Sequence, residues 1–596
     1  MKTLNKSRAP FTNRSLYFLF VFIIPVLIYL PSLRFGFVDF DDDQLILKNI
    51  DFLGNPHNIS RVFFTNAFIG SPSSFYRPMQ TLSYMLDLFL TGGKAIWIYH
   101  FSNVLYIGAI AVLLYALLIQ FSIPRLLAFW GATIYCIHPL FVSSIAWIPA
   151  RGDLQLTFFT LLSFLMLTYF KATGKIKYFV FHWISFSLAL FCKETAALLP
   201  FLFLAYYLSF GSSTNIAKTV RNGLFLYLPI WVFWFWMRYL AIGAISRSTE
   251  TLSLHSIFTS LRIVPESLSK FFIPFNNAPI PGFSAFKTIS GIIVIGILIL
   301  LMRYNKERPW KEKLFCLIWF VLLMAPALVY KSPLFDYLDH RFLTPMIGIL
   351  LLILFFISEK WIKSFRSPLP ITAFSIISIV FLCLTYHKAQ VYSDSQTFYN
   401  SAVSQNPSSA IAFNNRGQLL LSQGKLKDAT KDFSQALLIK SDYEDALVNR
   451  GVAYNRLGMI DQAIADLLEA IRLSPGYAEA YNNLGASYYS LGVFDMAIKN
   501  FTSAIKIRPD YVDAFYNRAL SYDAMGLFDK EITDGTKLIE LRPDYAEAYI
   551  TRGIGYLRIQ ANNKACLDFS NAANLGNVSA KQLLSKYCGK GASVLP

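Results

Sequence analysis

Apolar residues in the first two thirds of the chain gather in runs too long for strands and too unbroken for half-buried soluble helices. They lie at 16–33, 97–119, 126–148, 153–170, 178–192, 195–210, 222–240, 287–302, 314–330, 342–358 and 370–386. A helix crosses a bilayer with about 20 such residues, so the pattern predicts a polytopic helical domain over 1–390 with about 11 spans. The first run follows Lys2, Lys6, Arg8 and Arg14, as in a secretion signal, but no small-residue cleavage site follows, and it reads as a retained anchor. After residue 390 the long runs stop and a different order begins. Gly417, Gly451, Gly485, Ala519 and Gly553 recur every 34 residues, as do Gly424, Gly458, Gly492 and Gly526; Pro475, Pro509 and Pro543 keep the same step.

Around those markers Tyr454, Tyr488, Tyr522 and Tyr556 and the small residues Ala429, Ala463, Ala497 and Ala565 take the places of aromatic knobs and close helix contacts. The period resembles that of tetratricopeptide repeats, helix pairs that bury their apolar faces only by stacking on neighbours. The expectation is an all-α chain: the multi-span domain, a linker at 391–407, about five repeats plus a closing helix over 408–588, and a tail at 589–596. The fourth repeat is the weakest, with Glu531 and Gly535 at positions normally small and aromatic.

Composition agrees: 55% hydrophobic residues and 16% aromatic ones do not make one soluble globule. The net charge of +18 is read as a topology signal, because short basic loops stay cytoplasmic. Basic clusters at the N-terminus, Arg125, Lys171–Lys177, Lys218–Arg221, Arg303–Lys313 and Lys360–Arg366 alternate with poorly charged loops. With an odd span count, the loops 34–96, 241–286 and 331–341 and the whole C-terminal domain fall on the opposite side. The repeats are studded with acids, which speaks against a nucleic-acid partner. Cys136, Cys192, Cys316 and Cys383 read as core residues, whereas Cys566 and Cys588 are placed for either a disulfide or two free thiols.

Chemistry concentrates at one membrane boundary. Phe40-Asp41-Asp42-Asp43 sets three carboxylates beside the first apolar run, where uncompensated charge is expensive. Arg77-Pro78, His138-Pro139, Arg151-Gly152-Asp153, Lys193-Glu194 and Asp339-His340-Arg341 follow on the same expected side. Each has a structural alternative: interfacial polarity for the acids, a backbone-satisfied His138, local ion pairs for Arg151 with Asp153 and for Lys193 with Glu194. No His/Cys metal spacing, phosphate-binding glycine loop or nucleophile elbow is present. In the repeats, Asn415, Asn449, Asn483 and Asn517 form a ladder, either solvated structure or a groove that binds a peptide backbone.

Taken in order, and with Phe37-Val38 ahead of the acids, these motifs resemble the transmembrane and tetratricopeptide-repeat O-mannosyltransferase family, within the GT-C glycosyltransferases. The likeness implies transfer of a sugar, mannose in the family, from a polyprenyl-phosphate donor to a Ser/Thr hydroxyl of a protein acceptor outside the cytoplasm. It implies Asp41 or Asp42 as base and Arg341 with His340 at the donor phosphate, with Arg77, His138, Arg151, Asp153, Lys193 and Glu194 nearby and the Asn ladder holding the acceptor. A divalent metal between carboxylates and phosphate is left open as the one cofactor. One extra residue separates Phe37-Val38 from the acids, and Ser143 stands where relatives often carry Glu. A bacterial inner membrane with periplasmic repeats is preferred over the endoplasmic reticulum with lumenal repeats, since Leu595-Pro596 ends without a retention signal. The alternatives are a non-catalytic membrane scaffold and a transporter or flippase, the latter disfavoured by the lack of internal half-repeats.

Overall fold

The computed structural model describes residues 12–69, 75–92, 95–211, 216–243, 260–275, 277–329, 337–357 and 368–589. Helices and turns account for all regular structure among them. Packing divides the chain after Ser408 into a first unit and a repeat unit.

Among the described residues of the first unit, six helices have the length and apolarity of membrane spans: Ser15–Arg34, Trp97–Gln120, Ile148–Thr173, Phe225–Ile242, Ala285–Tyr304 and Thr372–Tyr392. A seventh arises if Arg125–Cys136 and Pro139–Ala146, bent by 41°, count as one. Pro139 has no N–H to continue the first helix, and His138 sits extended before it, which is why the run 126–148 breaks. Ile176–Cys192, Glu194–Phe210 and Met346–Phe356 are shorter apolar helices. The eleven apolar runs are thus not all of spanning length, because polar turns at Lys193-Glu194 and Asp339-His340-Arg341 interrupt them.

The 34–96 loop is folded among its described residues. Short helices Asp42–Leu45 and Ile50–Gly54 pack with Pro78–Thr91 over a core of Ile46, Leu53, Val62, Tyr84 and Tyr99. Pro78 begins the longer helix, where its missing N–H costs nothing, and Gly92 ends it at φ 60°. The stretch read as a linker is also folded: Ser395–Gln405 is a helix capped by Asp394, whose Oδ1 accepts the Thr397 N–H at 2.8 Å. Ser395 Oγ accepts the Asp39 N–H at 3.1 Å and donates to Asp39 Oδ2 at 2.9 Å, while the Tyr399 hydroxyl donates to the Asp39 carbonyl.

The repeat unit consists of five helix pairs, from Ala410–Ser422 with Leu426–Ile439 to Ala546–Arg558 with Asn562–Asn574, closed by Val578–Tyr587. The glycine step has a direct cause. A Cβ on Gly417 or Gly485 would lie 2.6 Å from Phe433 or Phe501 of the second helix, and one on Gly451 would lie 2.9 Å from Leu467. The large residue sixteen positions on is fully buried in each case, worth about 1.5–3 kcal/mol. In the fourth repeat Ala519 faces Gly535, so the knob is missing where the sequence pattern is weakest. Cys566 and Cys588 are joined, with Cα atoms 5.7 Å apart, tying the closing helix to the fifth pair.

Candidate active site

The acidic run separates into three environments. Asp43 pairs with Lys48 at 2.7 Å on the surface. Asp42 is buried; its Oδ2 accepts the Val38 N–H at 2.7 Å and its Oδ1 has no hydrogen-bond partner. Burial pushes its pKa well above the ordinary value, against the Val38 hydrogen bond, and neighbouring Asp41 and Asp39 push the same way. Asp41, before the short helix, is pushed up to about 6 by burial, with the Arg77 and Arg341 guanidinia holding it back from a larger rise. A carboxyl of that kind exists in both protonation states near neutral pH.

Those two arginines belong to a cavity of about 370 Å³ lined also by Asp153, Lys193, Glu194 and Arg238. Its remaining wall is largely apolar, from Phe75, Leu156, Leu198, Leu323 and Pro326. Glu194 Oε1 accepts the Tyr76 N–H at 2.9 Å, and Oε2 lies 3.5 Å from Arg77 Nε. Lys193 pairs not with its neighbour Glu194 but with Asp153, at 2.6 Å to both oxygens. His340 Nε2 is 3.8 Å from the same carboxylate, with its ring 5.3 Å from that of Trp147. Burial first, then Lys193, Arg341 and Arg77, holds His340 well below its usual pKa, so the imidazole is neutral and adds no positive charge. Arg341 begins its motif's contribution to the cavity one residue later, on the turn Asp339–Phe342.

Four motif residues serve the scaffold. Arg151 is fully buried: it donates to Asp87 Oδ2 at 2.5 Å, to Asn103 Oδ1 at 2.8 Å and to the Tyr99 carbonyl at 2.6 Å, and lies over the Tyr84 ring. It therefore fastens the helix Pro78–Thr91 to Trp97–Gln120 and Ile148–Thr173, and does not pair with Asp153. Gly152 is needed there because a Cβ would approach Gln80 Oε1 to 2.8 Å. His138 accepts the Leu140 N–H through Nδ1 at 3.1 Å, so its Nε2 carries the proton and donates to the Phe271 carbonyl at 2.8 Å. Asp339 turns away from Arg341 to Lys270 at 2.6 Å and Lys388 at 3.7 Å. Arg238 was missed by motif reading; as the sole charge in Phe225–Ile242 it carries the signal that should have found it.

Along the repeats, Asn449 Nδ2 donates to Asn414 Oδ1 at 2.9 Å and Asn517 Nδ2 to Asn482 Oδ1 at 3.1 Å, bridging adjacent repeats. The four ladder residues are half-buried. The arginines beside them are engaged: Arg416, Arg450, Arg518 and Arg552 each bind both oxygens of the aspartate sixteen residues on, Asp432, Asp466, Asp534 and Asp568, at 2.7–2.8 Å. No group of three or more His, Cys, Asp or Glu side chains that could hold a metal occurs among the described residues.

A family model described as "TPR repeat" matches residues 453–492 and 487–526, and one described as "Tetratricopeptide repeat" matches 388–445. Protein O-mannosyl-transferase Tmtc2 of Drosophila melanogaster is 30% identical over 210 residues, 32% of this chain and 21% of the relative. Protein O-mannosyl-transferase TMTC1 of Mus musculus is 32% identical over 146 residues, 23% of this chain and 15% of the relative. The chain thus spans about a fifth or less of the curated relatives it matches. Among solved structures, MamA (28% identical, 28% of this chain, 96% of that chain, TM-score 0.26) and YrrB (20% identical, 32% and 97%, TM-score 0.27) are similar. The C-terminal domain is a tetratricopeptide-repeat domain, and over about a third of its length or less the chain is similar to two proteins named as O-mannosyl-transferases.

Proposed function

We propose that the chain is a membrane glycosyltransferase that moves a sugar, mannose by resemblance, from a polyprenyl-phosphate donor to a protein hydroxyl on the non-cytoplasmic face. The observation that carries this reading is the cationic cavity with an apolar wall that holds Arg77 and Arg341, the two arginines whose charge acts on half-buried Asp41 and limits the rise of its pKa to about 6. The acceptor oxygen attacks the anomeric carbon as the carbon–oxygen bond to phosphate breaks, inverting that centre. The hydroxyl proton passes to Asp41, and the phosphate leaves on its lipid with the bonding electrons. Arg341 and Arg77 supply charge where it develops, which an arginine fork does with two hydrogen bonds at once. Asp153 positions Lys193 at the cavity wall, and neutral His340 contributes at most a hydrogen bond.

The outward placement is supported by the alternation of basic and poorly charged loops and by the Cys566–Cys588 disulfide, a bond that persists in oxidising compartments. A bacterial inner membrane fits both. The repeats would then hold the protein acceptor; the MamA and YrrB likenesses add nothing to that.

Purified full-length protein with radiolabelled polyprenyl-phosphate sugars and a protein extract tests the reading. Asp41→Asn is isosteric and should lower transfer by about a hundredfold or more, the scale of a general base. Transfer at the wild-type rate by Asp41→Asn would sink the assignment, and the absence of transfer from any donor in the wild type would favour the scaffold.

A further inference from the structure

On the other side of the Asp339-His340-Arg341 turn lies a second cavity, of about 350 Å³, lined by Asn277, Lys388, His387, Tyr392 and Gln405 with walls of Pro139, Pro274 and Leu384. Two of its donor atoms make no hydrogen bond. Asn277 is 6% exposed, and its Oδ1 accepts from Lys287 Nζ at 3.2 Å; an ammonium only donates, so the amide orientation is fixed and Nδ2 is left as the unpaired donor. Lys388 Nζ is buried and makes no hydrogen bond, its nearest carboxylate oxygen being Asp339 Oδ2 at 3.7 Å, while Asp339 Oδ1 is taken by Lys270 at 2.6 Å.

Charge around the cavity is unbalanced in the same sense. Next to the cavity, Lys270, Lys287 and Lys388 all act on Asp339, three cations on one carboxylate, while Glu266 is paired with Arg262. Buried donors and buried charge both demand partners, and an anion with several acceptor oxygens answers both at once. The location selects the kind of anion. Lys388 is in the last turn of the helix Pro368–Ala389, beside exposed Tyr386 and His387, and Pro139 follows the break between Arg125–Cys136 and Pro139–Ala146, so the cavity lies at the end of one apolar helix and the bend of another, where a lipid headgroup would meet them. Its volume is near the low end of the ~300–1,000 Å³ typical of small-molecule sites.

We propose that this cavity binds a lipid-borne phosphate, with Lys388 Nζ and Asn277 Nδ2 donating to its oxygens, separately from the donor cavity on the Arg341 side. The phosphate belongs either to an anionic phospholipid of the surrounding bilayer or to a polyprenyl phosphate. Binding here needs no catalysis, so the proposal is tested apart from the transferase reading.

Native mass spectrometry of the full chain released from nanodiscs counts retained lipids. Discs of phosphatidylcholine are doped with phosphatidylglycerol in one arm and undecaprenyl phosphate in another, and inorganic phosphate is added in a third. The wild type should retain a doped lipid over phosphatidylcholine by about tenfold, one factor of ten being a modest charge-assisted preference. Lys388→Met and, independently, Asn277→Leu should each retain one such lipid fewer per protein, at an unchanged melting temperature for at least one of them. Loss in the phosphatidylglycerol arm assigns the site to bulk lipid, and loss in the other arm assigns it to the polyprenyl carrier. Equal retention by wild type and the folded variant, or binding of inorganic phosphate with neither lipid, overturns the proposal.

Discussion

Asp41 links rate and stability through one proton. Its folded pKa of about 6 exceeds the ordinary 3.8, so the folded state holds the proton more tightly than the unfolded chain does. That contribution is fully present below 3.8 and is lost as pH rises through about 6. Transfer should behave oppositely, rising through about pH 6 as the base ionises and then levelling. Asp41→Asn should therefore flatten the decline of melting temperature across this interval while abolishing the rate profile, measured by thermal scans and initial rates at matched pH. Arg151 makes the contrasting case. Arg151→Met leaves Asp87 buried without its cation and should destabilise by about 3–5 kcal/mol, whereas Arg341→Met should weaken donor use. The two arginines look alike in sequence, each beside an aspartate at the end of an apolar run. What separates them is Asp87, sixty-four positions before Arg151 and brought to it by folding of the 34–96 loop. Lys193 is similar: local sequence pairs it with Glu194, but the backbone extends at Lys193 and turns it to Asp153.

At the scale of elements, the repeats were readable because their period, their glycines and their buried knobs are local and recur. The arginine–aspartate ties recur at sixteen residues in four of the five repeats, yet they were not read from the sequence because a single row of charges names no partner. The third repeat has Leu484 and Asn500 at these positions, and Asn500 Nδ2 donates to its own helix at Met496 instead. Asp466→Ala and Asp534→Ala should each cost about 1.5–3 kcal/mol, the range for hydrogen bonds to charged groups, and Asn500→Ala less, by urea unfolding of the full chain. Equal effects at all three would mean that helix packing alone sets repeat stability. The spans were harder to delimit, since hydropathy sees neither the bend at His138-Pro139 nor the short helices on either side of Lys193-Glu194.

For the whole molecule, the helix Ser395–Gln405 decides how the repeats must be removed in any test of their role. Ser395 and Tyr399 hold Asp39, two residues from the proposed base, so a cut after Asp394 would disturb the acidic loop as well as deleting the repeats. A cut after Ser408 spares those contacts. The chain ending at Ser408 should modify protein acceptors far less well than the full chain while using short peptides at a similar rate, because a tethered groove acts by raising local acceptor concentration. Equal losses for both would make the repeats a stability element.

The bond between Cys566 and Cys588 gives the repeat array a direction. A stack whose units touch only their neighbours melts from its ends inward, and the outermost helix is ordinarily the first to detach. Here that helix is held covalently to the last pair, so detachment there still leaves it within reach of its seat. Fraying at that end is then reversible, and reduction of the bond should expose the closing helix to proteolysis before the five pairs.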